Sequence, residues 1–564
     1  MNMHDYLAEA RKRAETRWPA DVPREPRYPL GEISIGDHLR HWAAAIPDET
    51  AIAFYGTEIT WAQYDEMSDR AAGWLESVGV RAGDRVGVYL PNSPQFLIAF
   101  AGIMKLGAVH VPINTMFKEL ELEHELSNAD VSVLFVLDSC LSTLASVIDK
   151  TNVREVLVTS AYSLAPPEPC VPLPPTPATV PVTRFANAPT WDDLLAAERA
   201  PRHEVDLDAL AALNYTGGTT GLPKGCEHTQ RHMLYTAVTT NAGNGIPQQS
   251  VLLCHVPIFW IAGEDVGIIM PIVSGSTCVL LARWDAASVM AMIERYRVTM
   301  TLGTVDNYIE IAEHPAVADH DFSSLDQPLT MSFVARLSPE VRDQWRKATR
   351  SDGLLREIAF GMTETHTMDT STYGLQEDDW DLRGEPGMVG LPMPGTDIAV
   401  VDPQTREPLP FGERGDIILR SPSVMNGYWQ RPDATADTIR DGWLLTGDSG
   451  FIDESGCLHY LAREKDMIKV NGMSVFPSEV ETFLCRHEAV DVAAVVPKAD
   501  DRRGQIPVAF VKLIDGATVT EDELRDWAKT QMATYKVPVI RFVDEYPMTT
   551  TGKIKKAELA ASTD

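Results

Sequence analysis

The chain has 564 residues, of which 44% are apolar and 23% are charged, and its formal net charge is −31. This length exceeds what a single hydrophobic core supports, and the composition excludes a disordered or fibrous chain. The negative charge argues against nucleic acid as a partner. It also repels an anionic nucleotide, so any nucleotide site must depend on local hydrogen-bond donors and cations.

The seven cysteines lie far apart in the chain and form no CxxC pair. This pattern argues against a disulfide framework or a zinc site and favours a reducing compartment, so we expect a cytoplasmic protein. The N-terminus mixes acids and bases without an apolar core and is not a secretory signal. The longest apolar stretch, residues 267–282, is interrupted by proline, serine and glycine. It is too short to span a bilayer, so we predict buried core and no stable membrane insertion.

Helical and strand-like patterns alternate from about Ile33 onwards. TWAQYDEMSDRAAGWLESVG has apolar residues at helical spacing, DRVGVYL is typical of a buried strand, and SPQFLIAFAGIMKLGAV is again helical. Strands that alternate with helices at this spacing favour parallel sheets with crossover helices. The sequence therefore predicts an α/β fold.

Two further segments indicate how the chain is divided. Residues 164–182 are rich in proline and predict an extended surface loop within a large domain. After LAREKDMIKVNG, short strand-like runs alternate with the helical EDELRDWAKTQM, which is typical of a small α+β module. We predict a large domain over residues 1–463, a hinge at 464–466 and a small domain over 467–564.

The stretch YTGGTTGLPKG, residues 215–225, combines glycines, hydroxyl side chains and a lysine. Backbone amides in a glycine-rich turn can converge on phosphate oxygens. The Walker P-loop requires glycine directly before its lysine and serine or threonine after it, whereas Pro223 precedes Lys224 and Gly225 follows it. By itself the stretch is compatible with either a tight surface turn or a phosphate-binding loop.

More motifs follow this loop, and together they resemble those of the adenylate-forming superfamily. They are FGMTE at 360–364, GWLLTGD at 442–448, REKDMIKVNGMSVFPSEVE at 463–481, YKVP at 535–538 and TTTGKIKK at 549–556. The chain is most similar to the acyl-CoA synthetase branch of that superfamily, the AMP-dependent synthetases and ligases. The resemblance implies a large N-terminal domain of stacked mixed and parallel sheets with a β-barrel-like subdomain. It also implies a small, mobile α+β C-terminal domain.

The resemblance implies ATP, coenzyme A and Mg²⁺ as ligands and assigns the catalytic residues. Glu364 would hold the magnesium ion, Thr363 would bind the α-phosphate, and Lys553 would bridge the carboxylate and α-phosphate oxygens. Asp448 would accept the ribose hydroxyls and Phe360 would face the adenine. The ATP-binding residues implied in this way are Thr216, Gly217, Gly218, Thr219, Thr220, Gly221, Lys224, Phe360, Gly361, Met362, Asp448, Arg463 and Lys553.

Without the other motifs, each of these residues also has an ordinary structural interpretation. The pair Thr363 and Glu364 is typical of a helix start, and an aspartate beside glycine is common in turns. Arg463 is compatible with a surface salt bridge, and Lys553 with a solvated tail. The functional assignment therefore depends on the order of the motifs along the chain.

Lys553 belongs to the predicted small domain, whereas Glu364 and Asp448 belong to the large one, so adenylation requires the two domains to close. The resemblance implies that the small domain rotates afterwards, with Lys465 as the hinge residue. Gly472 would then allow close approach of a pantetheine arm. The pair Asn471 and Gly472 also matches a β-hairpin turn, and the two interpretations are compatible.

The residues predicted to line the acyl and thiol pockets are Phe259, Trp260, Asp306, Phe333, Val334 and Gly472. Trp260 replaces the histidine of many relatives, and residues 333–336 replace a usual Gly-Ala-Pro run beside the adenine. Asp306 either caps the following helix or contributes to a polar pocket for a hydroxylated or amine-bearing acid. Glu264 raises the same question.

We therefore predict an ATP-dependent acid–thiol ligase that forms an acyl-AMP, releases pyrophosphate and transfers the acyl group to CoA. One alternative is an adenylation-only enzyme that passes the acyl group to a carrier protein or an amine. A luciferase-like oxygenase and a non-catalytic nucleotide-binding homologue are the others. The sequence specifies neither the carboxylic acid nor the oligomeric state, and a homodimer stays open.

Overall fold

The computed structural model describes most of the chain. The described residues are 1–177, 179–216, 223–332, 335–358, 360–384, 387–463, 466–470, 473–500, 502–532, 534–549 and 552–563. None of the helices in these ranges is both long and apolar enough to cross a membrane.

Two mixed sheets form the centre of the large N-terminal part. One has the strand order β13-β12-β11-β9-β10-β1-β2, and the other has the order β6-β5-β3-β4-β7-β8. Neighbouring strands run parallel except for β2 and β8, each of which pairs antiparallel with its neighbour. The strands are β1 Thr50–Phe54, β2 Thr57–Thr60, β3 Arg85–Tyr89, β4 Val109–Pro112, β5 Val133–Leu137, β6 Glu155–Thr159, β7 Leu210–Tyr215, β8 Gly225–Thr229, β9 Val251–Cys254, β10 Thr277–Leu280, β11 Met300–Thr304, β12 Gln327–Met331 and β13 Arg356–Glu357.

Helices precede, connect and cover these sheets. They are α1 Met3–Ala14, α2 Ile35–Ala45, α3 Trp61–Ser77, α4 Pro94–Leu106, α5 Glu119–Asn128, α6 Leu141–Val147, α7 Trp191–Ala196, α8 Gln230–Gly243, α9 Ile261–Glu264, α10 Met270–Ser274, α11 Ala286–Tyr296, α12 Val305–Glu313 and α13 Pro339–Thr349. Helix α3 begins at a capping box in which Thr60 and Gln63 exchange side-chain and backbone hydrogen bonds. Helix α4 is buried along its whole length and ends at Gly107, whose φ of 70° only glycine adopts without strain.

A third, antiparallel sheet has the order β16-β17-β22-β21-β19-β18, and a short strand, β20, pairs with β21. It corresponds to the predicted barrel-like subdomain and packs around its own apolar core, which includes Ile417, Leu419 and Leu444. Its strands and the neighbouring elements are β14 Gly361–Met362, β15 Thr367–Met368, β16 Thr370–Ser371, α14 Trp380–Arg383, β17 Met388–Pro392, β18 Asp397–Val401, β19 Gly415–Arg420, α15 Pro432–Thr438, β20 Ile439–Arg440, β21 Trp443–Ile452 and β22 Leu458–Arg463.

The C-terminal part has a separate mixed sheet with the order β24-β23-β26-β25, and β27 pairs in parallel with β26. Apolar residues such as Val480, Val495 and Leu524 pack on it. Its elements are β23 Ile468–Val470, β24 Met473–Val475, α16 Pro477–Leu484, β25 Val490–Asp500, β26 Gly504–Leu513, α17 Glu521–Gln531, β27 Val539–Phe542 and α18 Lys556–Ala561. The predicted small α+β module is confirmed.

The predicted α/β alternation is confirmed by α3, β3 and α4, which occupy the three segments that the pattern indicated. The proline-rich segment, apart from residue 178, contains neither helix nor strand in its described residues 164–177 and 179–182. It crosses the end of β1, where the N–H of Cys170 donates to the carbonyl of Tyr55 at 2.9 Å. The domain boundaries at 463 and 467 stay predictions, and the hinge residue Lys465 lies outside the described residues.

Candidate active site

The base of the glycine-rich loop closes at the ends of β7 and β8. These strands pair antiparallel, with Tyr215 opposite Gly225. The N–H of Thr216 donates to the carbonyl of Lys224 at 2.9 Å, and the N–H of Lys224 donates to the Thr216 hydroxyl at 3.4 Å. The loop's predicted ATP contacts between them, Gly217, Gly218, Thr219, Thr220 and Gly221, lie outside the described residues. The described part therefore holds Lys224 at the mouth of the loop.

Tyr428 connects this loop to the predicted metal carboxylate. Residues 426–429 run along β8 through backbone hydrogen bonds, among them Trp429 N–H to Gly225 O at 2.8 Å. The Tyr428 hydroxyl donates to Glu364 Oε1 at 2.6 Å, and the Lys224 ammonium lies 3.7 Å from the centre of the Tyr428 ring. Tyr428 is 5% exposed. One aromatic side chain thus contacts both the cation and the anion of the site.

The turn that carries Thr363 and Glu364 is held from two sides. It is a 3₁₀ turn over Thr363–Thr365, between β14 and β15. The N–H of Met425 donates to the carbonyl of Glu364 at 2.8 Å, and Nε2 of buried His228 donates to the carbonyl of Thr363 at 2.7 Å. The turn ends at His366 with φ of 55°, the left-handed region that non-glycine residues enter only at a cost. Both predicted residues therefore sit on a tightly constrained backbone.

Behind this turn lies a buried polar cluster around Glu264. Asn214 donates to Glu264 Oε2 at 2.9 Å, and the Nε2 atoms of His110 and His366 lie 3.9 and 3.8 Å from its carboxylate oxygens. Burial raises the pKa of Glu264 to about 8. Burial also lowers the pKa of His110 and of His366 to about 3, so both imidazoles are neutral at physiological pH. The cluster supports the turn from inside the protein.

On the predicted ribose side, the register of β21 and β22 places Asp448 directly opposite Arg463. Nε of Arg463 lies 3.7 Å from Oδ1 of Asp448, which is 5% exposed. Lys553 lies within electrostatic range of both. Its pKa is lowered, first because surrounding protein displaces water and then because of Arg463, while Asp448 acts in the opposite direction. Lys553 itself is exposed.

The predicted adenine side joins these two regions. Phe360 is buried, with its ring 6.0 Å from that of Tyr460. The pKa of Tyr460 is raised, chiefly by burial and then by the nearby Asp448 carboxylate. Gly361 is exposed and Met362 is half-buried. The aromatic pair therefore connects the segment before Thr363 to Asp448.

The acyl side is described in part. Phe259 and Trp260 are both half-buried and pack edge to face, with their ring centres 6.1 Å apart. Asp306 is exposed, and its carboxylate accepts from Ala335 N–H at 3.4 Å. It does not cap α12, because the capping residue is Thr304, which forms a capping box with Asn307. The other predicted pocket residues, Phe333, Val334 and Gly472, lie outside the described residues.

The Glu364 carboxylate fits the ligand requirements of a magnesium ion that is bound together with ATP. In the described residues, no group of three or more His, Cys, Asp or Glu side chains is arranged to hold a metal. Mg²⁺ usually needs only one or two carboxylates, since substrate phosphates and water supply its other oxygen ligands. The half-buried Glu364 carboxylate, oriented by Tyr428, meets that requirement.

A model of the AMP-binding enzyme family matches residues 39–429, and a model of the AMP-binding enzyme C-terminal domain matches residues 479–553. The chain belongs to the AMP-binding enzyme family. The predicted adenylate-forming superfamily is thus confirmed. The chain is 33% identical to a long-chain-fatty-acid–CoA ligase of Bacillus subtilis (strain 168) over 555 residues, which cover 96% of each chain.

Two further relatives match this AMP-binding enzyme over most of their lengths. A feruloyl-CoA synthase of an Amycolatopsis species is 32% identical over 516 residues, which cover 91% of this chain and 96% of that protein. The crystal structure of the anthranilate CoA ligase AuaEII in complex with anthranoyl-AMP has a TM-score of 0.81 and 26% identity. It covers 97% of this chain and 98% of that chain.

The sequence analysis of this AMP-binding enzyme missed Tyr428, Tyr460 and His228. All three act through long-range contacts: the Tyr428 hydroxyl reaches a carboxylate 64 residues away, and His228 reaches a carbonyl 135 residues away. The aromatic pair in NGYWQRP was a visible signal for Tyr428, since it stands between glycine and proline in a polar stretch. No local pattern indicated the partner of any of the three.

Proposed function

We propose that this member of the AMP-binding enzyme family is an ATP-dependent acid–CoA ligase. It would convert a carboxylic acid, ATP and CoA into an acyl-CoA, AMP and pyrophosphate. The names of relatives that match nearly the whole chain support CoA as the acceptor. The observation that carries the proposal is the pairing of Asp448 with Arg463 across β21 and β22, with Nε and Oδ1 3.7 Å apart and Lys553 within electrostatic range of both.

In the first half-reaction, a carboxylate oxygen of the acid attacks the α-phosphorus of ATP. The bond from that phosphorus to the bridging oxygen breaks, and pyrophosphate leaves with the electron pair. Both reactants are anions, so catalysis depends on cations placed where the negative charge gathers. Lys553 provides that charge at the reacting oxygens, and Lys224 provides it towards the leaving pyrophosphate.

The remaining residues hold ATP in position. Asp448 accepts the ribose hydroxyls, and Arg463 adds a donor beside it. Phe360 presents an apolar face to the adenine, and Thr363 donates to the α-phosphate. Glu364 would hold Mg²⁺, which would offset phosphate charge when bound. Tyr428 keeps Glu364 in the orientation that this requires.

In the second half-reaction, the CoA thiol loses its proton and its sulfur attacks the acyl carbon. The carbon–oxygen bond to AMP breaks, and AMP leaves with the electron pair. The half-buried Phe259 and Trp260 support an acyl group with an apolar portion.

The C-terminal domain moves between the two half-reactions about the proposed hinge at Lys465.

A substrate screen tests the proposal. The purified protein is incubated with ATP, Mg²⁺, CoA and a panel of aliphatic, aromatic, amine-bearing and polycyclic carboxylic acids, and AMP and acyl-CoA are measured. At least one acid is expected to give AMP and thioester in equal amounts. An acyl-adenylate that forms without a thioester would support the adenylation-only alternative. Nucleotide binding without AMP formation from any acid would contradict the proposal.

A further inference from the structure

Helix α16 of the C-terminal part carries two buried carboxylates that contact cations from both parts of the chain. The first is Glu479, with a side chain 7% exposed. Arg414, from the large N-terminal part, donates to both of its oxygens at 3.1 Å, and Lys536 of the C-terminal part donates at 2.6 Å. Burial raises the pKa of this carboxyl, but Arg414 and Lys536 lower it below its usual value. Glu479 is therefore ionised at neutral pH.

The second carboxylate is Glu481, with a side chain 6% exposed. Arg336, also from the large part, lies 3.4 Å from its Oε2. Lys556 of the C-terminal part pairs with Oε1, which also accepts from Val495 N–H at 2.8 Å. The two carboxylates thus have the same arrangement, with one arginine from the large part and one lysine from the C-terminal part.

An apolar contact accompanies these ion pairs. Phe476, immediately before α16, is buried against Phe451, Leu461 and Ala462 of the third sheet. The guanidinium group of Arg414 lies 5.5 Å from the centre of the Phe476 ring. A bidentate arginine–carboxylate pair with a buried carboxylate, beside a buried aromatic side chain, resembles the residues that contribute most to protein interfaces.

These contacts bear on Lys553 because Lys556 is only three residues further along the chain. Between them, the N–H of Lys555 donates to the carbonyl of Pro547 at 2.8 Å, which limits the freedom of the segment. A chain of contacts therefore runs from Arg336 through Glu481 and Lys556 to the segment that carries Lys553. We infer that Arg336 and Arg414 are positioning residues that hold the C-terminal domain in the orientation required for adenylation.

The inference rests on the proposed function, because it assigns this orientation to the first half-reaction. Arg336 and Arg414 would contribute nothing to the thioester step, for which the domain must leave this orientation. Loss of both arginines is therefore expected to affect the two half-reactions unequally. A purely structural role would affect both alike.

The two arginines can be removed without leaving a buried charge alone. In Arg414→Ala, Glu479 keeps Lys536, and in Arg336→Ala, Glu481 keeps Lys556 and the Val495 N–H. Each carboxylate thus retains a cation within its own domain, which avoids the large cost of an unpaired buried ion. Replacing Glu479 or Glu481 instead would leave a lysine of the C-terminal part without its partner. A loss of activity could then come from a less stable domain as well as from a changed domain orientation.

The experiment compares wild type, Arg336→Ala, Arg414→Ala and the double variant, with Arg346→Ala as a matched control. Arg346 is exposed and pairs with Asp343 of its own helix at 2.9 Å. Two rates are measured: exchange of labelled pyrophosphate into ATP, and thioester formation from purified acyl-adenylate and CoA. For the double variant we expect exchange to fall about ten-fold, the effect of about 1.4 kcal/mol, with thioester formation within about two-fold of wild type. The control should match wild type.

A second measurement needs no carboxylic acid. Trypsin is added to each protein with ATP and Mg²⁺, and cleavage between residues 463 and 469 is followed by mass spectrometry. The double variant should be cut there faster than wild type and the Arg346→Ala protein. Equal losses in both half-reactions, or unchanged exchange together with unchanged cleavage, would overturn the inference. If wild type itself shows no exchange with any acid, the proposed function fails, and cleavage still decides whether the arginines hold the domain.

Discussion

The phosphate side and the ribose side of the candidate site are built in different ways. On the phosphate side, Lys224, Tyr428 and Glu364 all belong to the large N-terminal part. Two carbonyls of the Thr363–Thr365 turn accept hydrogen bonds from other segments, one from the Met425 N–H and one from the His228 imidazole. On the ribose side, Asp448 and Arg463 face each other across paired strands, and Lys553 joins them from the C-terminal part.

The phosphate side is thus formed within the large N-terminal part alone, whereas the ribose side is assembled from both parts of the chain. The phosphate side is supported by the buried cluster around Glu264 and does not depend on the C-terminal part. We infer that the proposed ribose side acquires Lys553 only in the orientation that α16 and the two arginines stabilise. Loss of Lys553, the assembled residue of the ribose side, should therefore act on one chemical step, whereas changes on the phosphate side should act on ATP binding and stability.

The largest expected effect is that of Lys553→Ala. It removes the cation nearest the proposed reacting oxygens, so pyrophosphate exchange should fall by at least about 100-fold. Thioester formation from purified acyl-adenylate should stay within about three-fold of wild type. The matched control is Lys555→Ala, because Lys555 pairs with Glu558 on the surface at 2.8 Å. Undiminished exchange in Lys553→Ala would refute the role assigned to this residue.

Asp448→Asn tests the proposed ribose contact of the carboxylate that lies opposite Arg463. Removal of the charge weakens the bonds to the ribose hydroxyls, so the KM for ATP should rise roughly ten-fold or more. The substitution also removes the group that raises the pKa of Lys553, so exchange should begin to fall at lower alkaline pH than in wild type. Steady-state kinetics between pH 7 and 10 measure both effects.

The control for this variant is Asp437→Asn, since Asp437 is exposed and pairs with Arg440 on the surface. Asp437→Asn should leave unchanged both the KM for ATP and the alkaline pH at which exchange begins to fall. A KM for ATP that is the same in Asp448→Asn and wild type would show that this carboxylate does not hold the nucleotide.

Tyr428→Phe tests the preformed phosphate side with a smaller change. The phenylalanine keeps the ring under Lys224 and loses the 2.6 Å hydrogen bond to Glu364. We expect the Mg²⁺ concentration for half-maximal ATP binding, measured by calorimetry, to rise roughly five-fold. Tyr373→Phe is the matched control, because Tyr373 also donates to a carboxylate, Asp21, and lies beside a guanidinium group. If ATP binding depends on Mg²⁺ equally in both variants, the Tyr428 hydroxyl does not contribute to Mg²⁺ binding.

The smallest expected effect is that of Glu264→Gln on stability. The folded-state pKa of Glu264 is about 8, above its usual 4.5, so between these values the folded protein keeps a proton that the unfolded chain has lost. Its contribution is fully present below about pH 4.5 and is lost as pH rises to about 8. Glutamine does not titrate, so the variant's gain in Tm over wild type should grow by about 1–3 °C from pH 5 to pH 8.

The comparison variant is Glu66→Gln, on the surface. Arg199 and Arg70 lower the pKa of Glu66, so its contribution has the opposite sign and is present above the unfolded pKa. It should show no gain in Tm with rising pH. Scanning calorimetry at four pH values distinguishes the two. A Tm difference for Glu264→Gln that does not change with pH would mean that this carboxyl is not held protonated by burial.

Much of the fold could be predicted from periodicity. The alternation over residues 61–106 correctly predicted α3, β3 and α4, because their apolar spacing reflects a single buried face or complete burial. The third sheet was expected only through the family resemblance, since its short antiparallel strands leave weaker local patterns than buried parallel ones. Asp306 illustrates a local error: an aspartate near a helix start suggested a cap, but Thr304 holds that position.

What the sequence by itself determined about this protein is its family, its α/β class and the side chains offered for chemistry, including Glu364, Asp448 and Lys553. These follow from residue type, order and spacing, which are properties of the chain. The tertiary structure alone decided that Tyr428 reaches Glu364, that Asp448 faces Arg463, and that Arg336 and Arg414 reach α16. These pairs depend on strand register and on the packing of distant segments, since a hydrogen bond forms only at about 3 Å, whatever separates its partners in sequence.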